Sequence, residues 1–268
     1  MDEVGALLTM LLFHHITKTA GTSLLAVIRK NYGADELHEF YGETDDPAAL
    51  WRTWFRSLSA QARRALRCVA SHTAQFLIPV LLEEGVEFKV ITLLRDPVER
   101  CISLYYFTRE LAAQNEQGLG GFTGRALLAQ NWSLDDIYRT LGGGAPGTSP
   151  LHGKFPAFFN GQTRDILRPY RCKIEFSTQA TLRDLPHMAT LHRVMSHYLV
   201  GITEEYNRSV DYLREALSWK SACYEAINVT RSRRSAPLPS EETIELIRSY
   251  NRVDLELYTA FKDGRATV

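Results

Sequence analysis

The residues best suited to chemistry stand in a short loop near the start of the chain. Residues 17–23 read Thr-Lys-Thr-Ala-Gly-Thr-Ser, so small and hydroxyl side chains surround a single lysine, Lys18. An apolar run with the character of a buried strand precedes this loop, and an amphipathic helical pattern follows it. The backbone N–H groups of such a loop and the positive end of the helix dipole point at one spot, and Lys18 adds a full charge. The pattern therefore predicts an anion site for a phosphate or a phosphosulfate.

The order of the residues separates this loop from a Walker A motif, in which a glycine directly precedes the lysine and a Ser or Thr directly follows it. Here Lys18 precedes Gly21, and Thr22 and Ser23 follow the glycine. We therefore expect the lysine at the entrance of the loop and the two hydroxyls at the start of the helix.

A second set of candidate ligands follows the β-rich run 88–94. Arg95 stands where that run ends, and Ser103 follows eight residues later, about two turns into the next predicted helix. A guanidinium grips phosphate bidentately, and a hydroxyl that converges on the same phosphate completes such a site. The alternative interpretation is that Arg95-Asp96-Pro97 is a strand-to-helix turn with a local ion pair.

If the bound anion were to pass a group to a hydroxyl, a side chain would have to accept the proton of that hydroxyl, and histidine is the usual general base. His72 is the first candidate, because it ends a short apolar segment that lies between the two sets of ligands. The alternative for His72 is a buried structural histidine. His15 is the second candidate for the base; it ends the first predicted strand beside the loop and can orient that loop instead.

The two sets of ligands resemble those of sulfotransferases that use 3′-phosphoadenosine 5′-phosphosulfate (PAPS). The resemblance is nearest to the carbohydrate (heparan-sulfate-type) branch and its bacterial relatives. Residues 15–23 resemble the 5′-phosphosulfate loop, although Thr17 stands where that pattern usually has proline. The stretch 94–106 resembles the 3′-phosphate motif, and Arg95 and Ser103 both match it.

The candidate base is also similar to a segment of that family. Ser71-His72 followed by Phe76 resembles the segment that holds the catalytic histidine of the carbohydrate branch. Ser71 replaces the glycine of the pattern, and the aromatic residue is displaced by one position. Residues 160–164 resemble a segment of bacterial members; we expect a helix with polar side chains there and at most a contact with the acceptor.

The resemblance implies an enzyme that moves a sulfuryl group from PAPS to a hydroxyl of a carbohydrate or a small natural product. The spent donor is 3′-phosphoadenosine 5′-phosphate (PAP), and no metal is required. Lys18 and His72 would be catalytic. The residues implied in donor binding are Lys18, Thr19, Ala20, Gly21, Thr22, Ser23, Arg95 and Ser103.

The basic, serine-rich stretch 228–235 has two interpretations. It is either a solvated connector or, as the resemblance implies, a late loop that closes over the donor through some of its basic and hydroxyl residues, Thr230, Arg233 and Arg234 among them.

Two other functions stay open at this point. A nucleotide-dependent small-molecule kinase would need a magnesium ligand and a Walker-type loop, and the sequence offers neither. A non-catalytic sensor would bind PAP without turning anything over.

Composition narrows the class of protein. The chain has 268 residues, a formal net charge of +0 and a sequence pI of about 7.1, which disfavours a general nucleic-acid binder. Its longest apolar run, residues 7–13, is far shorter than the roughly 20 residues of a membrane span, and no signal-peptide pattern precedes it. The four cysteines are scattered without metal-ligand spacing. We expect a cytoplasmic bacterial enzyme that neither binds nucleic acid nor spans a membrane; its oligomeric state stays open.

The elements that position these residues alternate between strand and helix, which predicts a mostly parallel sheet whose ligands bind beyond the carboxyl ends of its strands. We predict a P-loop-kinase-like, three-layer α/β fold in which helices flank the central sheet. It forms a single domain over 1–268, with an insertion at roughly 112–170 on the acceptor side. The predicted strands are 7–16, 88–94 and 198–202, and the predicted helices include 22–31, 75–84, 133–141, 155–167, 182–195, 204–217 and a tail helix over 241–261.

Overall fold

The chain divides into two compact units. Unit 1 comprises Met1–Leu93, Arg193–Gly201 and Glu205–Ile227, and unit 2 comprises Leu94–His192, Ile202–Glu204 and Asn228–Val268. The computed structural model describes residues 9–42, 44–113, 131–142, 156–172, 174, 181–183, 187–222 and 239–264. About half of the expected acceptor-side insertion, 112–170, lies outside the described residues, and its role stays a prediction.

Strands and helices alternate along the chain. The strands are β1 (Met10–His14), β2 (Leu37–Phe40), β3 (Cys68–Ser71), β4 (Phe88–Leu94) and β5 (Tyr198–Ile202). The first helices are α1 (Gly21–Asn31), α2 (Pro47–Ser57), α3 (Ala60–Ala65), α4 (Ile78–Glu83), α5 (Pro97–Ala113) and α6 (Leu134–Gly142). The later ones are α7 (Gly161–Leu167), α8 (Met188–Met195), α9 (Tyr206–Leu217), α10 (Glu241–Tyr250) and α11 (Arg252–Lys262).

The strands form one five-stranded sheet in the order β2-β3-β1-β4-β5. β1 pairs in parallel with β3 and with β4, and β2 pairs in parallel with β3. Phe13 stands opposite Ala70 on one side and opposite Ile91 on the other. A parallel sheet flanked by helices confirms the predicted α/β fold class.

One core cluster of unit 1 lies on one face of this sheet. Leu11 and Phe13 of β1 point to that face together with the inward residues of β3 and β4, because side chains alternate along a strand. Helices α1 and α9 cover the face with Leu24, Val27, Ile28, Val210 and Leu213. The loop after β1 and the start of α1 are therefore fixed between a buried strand and a packed helix.

The core of unit 2 is built around α5. Residues of α5, α6 and α10 pack with Phe158 and Phe159 into one apolar cluster, in which Tyr138 and Phe159 are fully buried. The hydroxyl of Tyr138 donates to the carbonyl of Phe158 at 2.8 Å, so this buried polar group is satisfied. The cluster holds α5, the helix that directly follows Arg95, along much of its length.

Several predicted elements have different bounds in the structure. β4 and β5 have the predicted bounds, whereas β1 is shorter than predicted and β2 was not predicted at all. The tail helix predicted over 241–261 breaks at Asn251 into α10 and α11. The side chain of Asn251 donates to the carbonyls of Phe158 and Ile247, and its oxygen accepts from Asn160 N–H, so tertiary hydrogen bonds hold the residue in a non-helical conformation.

In the part of the chain that the structure describes, no helix is both long enough and apolar enough to cross a membrane.

Candidate functional site

The lysine loop has an unusual backbone. Lys18 and Ala20 both have left-handed conformations, with φ of 69° and 64°, which cost a non-glycine residue about 1–2 kcal/mol each. Ala20 is the residue before the first turn of α1, and no side chain among the described residues caps that helix. The carbonyl of Ala20 accepts from the N–H groups of Ser23 and Leu24. The backbone N–H groups that precede Ser23 therefore point out of the N-terminus of α1. This geometry suits an anion.

The hydroxyl of Thr19 ties the loop to the residue that precedes it. The hydroxyl of Thr19 donates to the carbonyl of Ile16 at 2.9 Å, and Thr19 is almost fully buried. Ser23 is also buried, whereas Lys18 and Thr22 are partly exposed. The loop therefore presents a lysine and a threonine toward solvent from a tied backbone.

Gly21 is required by its contact with His15. A Cβ atom at position 21 would lie 2.1 Å from Cδ2 and 2.3 Å from Nε2 of the His15 ring, so no larger residue fits without moving the ring. The ring stacks on Phe13 at a centroid distance of 5.2 Å, and its Nδ1 is 3.2 Å from the hydroxyl of Tyr41. His15 thus packs the end of β1 against the start of α1.

Burial lowers the pKa of His15 well below its ordinary value, and the nearby charges of His72, His14 and Lys18 lower it further. His15 is therefore neutral at neutral pH. The His15 ring is buried against Gly21 and Tyr41, so it packs against the loop and does not face solvent.

His72 has a defined proton arrangement. Its Nδ1 lies 2.6 Å from the backbone carbonyl oxygen of His15. A carbonyl can only accept, so Nδ1 carries the hydrogen and donates it. The neutral ring must then have its lone pair on Nε2, which is the nitrogen that can take up a proton. The partly exposed His72 is held from two sides, because its ring also contacts His15 at 4.4 Å and Tyr41 at 5.0 Å between centroids.

The turn that carries His72 is locked by hydroxyl groups. Ser71 Oγ accepts from the N–H of Thr73 at 3.0 Å and lies 3.1 Å from the Thr73 hydroxyl. Trp51 of α2 donates its indole N–H to that same hydroxyl at 3.0 Å. Ser71, which departs from the glycine of the family pattern, thereby closes the turn through its side chain.

Arg95 lies in unit 2 between two carboxylates. Its Nη2 is 3.5 Å from Glu99 one turn into α5, and its Nε is 3.8 Å from Glu204. The side chain of Arg95 is 18% exposed, and its Nε is a buried atom. The local ion pair expected under the alternative interpretation is present, although its partners are Glu99 and Glu204.

The start of α5 is capped beside Arg95. The carboxylate of Asp96 accepts from the N–H groups of Val98 and Glu99 at 2.9 and 3.1 Å, and Pro97 occupies the first helical position. Ser103 lies farther along α5 and is 4% exposed. Sequence spacing and the helix thus place an arginine and a serine about two turns apart in unit 2.

The predicted residues fall into two groups. Lys18, His72 and the rest of the loop belong to unit 1, and Arg95 and Ser103 belong to unit 2. Thr230, Arg233 and Arg234 lie outside the described residues, as does the remainder of 228–235. Within the described ranges, no group of three or more His, Cys, Asp or Glu side chains has the arrangement of a metal site.

Sequence reasoning missed several residues that support this site. Tyr41 follows the unpredicted strand β2, so nothing signalled its contacts with His15 and His72. Gln162, which bonds the backbone of Arg95, was part of a segment that was expected at most to contact the acceptor. Asp254, the partner of Gln162, could have been predicted from the sequence, because its carboxylate shares a helix face with the apolar residues Val253 and Leu257.

Comparison with known proteins supports the family. A family model described as the sulfotransferase domain matches residues 52–138. The matched segment contains His72, Arg95 and Ser103 but not the lysine loop, so the loop is a separate observation. This match, which covers less than half of the chain, supports the family predicted from the sequence. No curated protein matches the chain.

Proposed function

We propose that this chain, a member of the sulfotransferase family, transfers a sulfuryl group from PAPS to a hydroxyl of a carbohydrate or a small natural product. The observation that carries the proposal is the pairing of Lys18, on an uncapped helix start, with the oriented base His72 in one unit. Neither feature alone specifies the reaction. Together they supply a cation for a leaving phosphate and an acceptor for a hydroxyl proton.

The loop 17–23 is proposed to bind the 5′ end of the donor. Its left-handed residues direct N–H groups outward at the N-terminus of α1, where a negative charge is stabilised by the helix dipole. The proposed contacts are the backbone of Thr19, Ala20 and Gly21 and the side chains of Lys18, Thr22 and Ser23.

Arg95 and Ser103 are proposed to bind the 3′-phosphate. A guanidinium binds a phosphate through two parallel hydrogen bonds, and Arg95 is held at a fixed place by the capped start of α5. Recognition of this phosphate would select PAPS over nucleotides that lack it, ATP among them. Thr230, Arg233 and Arg234 are proposed as further donor contacts on the resemblance alone.

The chemical step is then an in-line displacement. His72 Nε2 takes the proton of the acceptor hydroxyl as the new bond from the acceptor oxygen to sulfur forms. The bond from sulfur to the bridging phosphate oxygen breaks, and that oxygen keeps the electron pair. Lys18 stabilises the charge that develops there, as cations do in phosphoryl transfer. His15 keeps His72 in the correct tautomer through its carbonyl.

The test is a turnover assay with labelled PAPS against a panel of sugars and natural products that carry hydroxyls. We expect a sulfated product and one equivalent of PAP. His72→Asn should lower turnover by about 10²–10⁴-fold, because the amide can still donate to the His15 carbonyl but takes up no proton. PAP binding should change less than about twofold.

A matched control for that variant is His197→Asn. His197 stacks on Phe88 at the amino end of β4, away from the carboxyl ends where the loop and the His72 turn follow their strands. Its loss should leave turnover unchanged. Transfer from ATP instead of PAPS would favour the kinase interpretation, and PAP binding without turnover on any acceptor would favour the sensor.

A further inference from the structure

The backbone of Arg95 is clamped by one side chain. Its N–H donates to Oε1 of Gln162 at 2.9 Å, and Nε2 of Gln162 donates to its carbonyl oxygen at 2.9 Å. The carboxamide thus bonds both polar groups of one residue, as a neighbouring strand does in a sheet. Gln162 is fully buried in unit 2, so both bonds are shielded from water.

Gln162 is itself fixed by a buried carboxylate. Its N–H donates to Oδ2 of Asp254 at 2.9 Å, and Thr163 donates to Oδ1 through its N–H and its hydroxyl, at 2.8 and 2.7 Å. Asp254 belongs to α11 but lies at the N-terminus of α7, where the helix dipole favours its charge. Asp254 is 1% exposed, and a buried charge of this kind is stable only when it is bonded in this way.

A second residue of α11 supports the Arg95 segment from another direction. Tyr258 follows Asp254 by one turn and donates its hydroxyl to Glu204 at 3.2 Å. Glu204 accepts the N–H of Asp96 at 3.3 Å and is the carboxylate 3.8 Å from Nε of Arg95. One face of α11 therefore supports Arg95 at two places. Asp254 acts through Gln162 at the backbone of Arg95, and Tyr258 acts through Glu204 near its guanidinium.

We propose that Gln162, held by Asp254, is the positioning residue that sets selectivity for the 3′-phosphate. The inference rests on the proposed function, in which Arg95 binds that phosphate. Bidentate recognition tolerates little error in the position of a guanidinium, and a backbone displaced by about 1 Å loses it. With the backbone of Arg95 fixed, only rotations within its own side chain can displace the guanidinium.

The experiment compares the binding of PAP and of adenosine 5′-monophosphate (AMP), which lacks the 3′-phosphate, by titration calorimetry. Gln162→Met keeps the length of the side chain and removes both bonds to Arg95. We expect its dissociation constant for PAP to rise by about 5- to 30-fold, and its dissociation constant for AMP to change less than about twofold.

Ile166→Ala is the structural control. Ile166 lies on the same helix and is fully buried, but it is an apolar core residue. It should lower the melting temperature while the ratio of PAP to AMP affinity stays at the wild-type value. Should Gln162→Met fail to fold, Asp254→Asn tests the same ratio, because it weakens the bonds that hold Gln162; we expect a fall in the same direction.

The outcomes separate the two proposals. A wild-type protein that binds PAP no better than AMP would contradict the proposed function itself. A wild-type protein with strong preference for PAP, together with a Gln162→Met variant that keeps this preference or loses both ligands equally, would overturn only the role of Gln162. The same ratio change in Ile166→Ala would also overturn it.

Discussion

At the scale of single residues, two neighbouring imidazoles have different tasks because their environments differ. His15 is buried against Gly21 and Tyr41, whereas His72 is partly exposed and donates its Nδ1 hydrogen to the carbonyl of His15. His15 is thus buried and neutral, whereas the neutral form of His72 has its lone pair on Nε2. The candidate base depends on its buried neighbour for orientation.

The lowered pKa of His15 makes a prediction about stability. Its causes are burial first and then the charges of His72, His14 and Lys18. The unfolded chain protonates this ring near its ordinary value of about 6.5, whereas the folded chain does not. Below that pH the unfolded state binds more protons, so His15 lowers the free energy of unfolding progressively as the pH falls and costs nothing above it.

We expect wild type to lose about 1 kcal/mol more per pH unit than His15→Gln between about pH 6 and pH 5. Urea unfolding at a series of pH values measures this difference. Parallel curves for the two proteins across that range would show that His15 is protonated in the folded state as well.

Sequence reasoning at this scale selects candidate residues whose chemistry is intrinsic to their type. Lys18, His72, Arg95 and Ser103 stood out because charge and spacing mark them without a fold. Gln162 and Asp254 did not, because the role of a buried amide or a buried carboxylate depends on its partners, which here lie 67 and 92 residues away in the chain.

At the scale of elements, the lysine loop combines two neighbouring positions with opposite demands. Ala20 has a left-handed conformation that glycine adopts freely, whereas Gly21 lies where a Cβ would overlap the His15 ring. The loop therefore has an alanine where the backbone favours glycine and a glycine where the packing requires it. This asymmetry can be tested with two adjacent substitutions.

We expect Ala20→Gly to raise the free energy of unfolding by about 0.5 kcal/mol, since relief of the left-handed penalty exceeds the added entropy of the unfolded chain. Gly21→Ala should lower it by about 1–3 kcal/mol, because the His15 ring must move. Denaturant unfolding of the two variants checks both signs. A destabilised Ala20→Gly or an unchanged Gly21→Ala would show that the loop has another conformation.

The elements themselves differ in how well the sequence predicts them. β4 and β5 are rich in apolar and β-branched residues, and their bounds were predicted correctly. β2 was not predicted, because the strand is only partly buried and its four residues show no clear apolar alternation. His38 and Phe40 are held by aromatic contacts with Trp54 and Trp51 of α2. The break at Asn251 could not be predicted from the sequence either. An asparagine ends a helix there because its side chain bonds Asn160 and Phe158, and the sequence shows neither contact.

At the scale of the whole molecule, the proposed function requires two separate sets of residues to bind one donor. The lysine loop is one set, and Arg95 with Ser103 is the other. Each set on its own has the features of a general anion site, since helix starts often bind anions. The claim that distinguishes this protein from a generic phosphate binder is that the two sets bind opposite ends of one nucleotide.

That claim is tested most directly by titrating Lys18→Met and Arg95→Gln with three ligands: PAP, AMP and adenosine 3′-monophosphate. We predict that both variants lose affinity for PAP by about tenfold or more. Lys18→Met should also weaken AMP but spare the 3′-monophosphate, whereas Arg95→Gln should weaken the 3′-monophosphate but spare AMP. If both variants weaken the same monophosphate, or if either leaves PAP binding unchanged, the two sites do not serve one donor and the account is wrong.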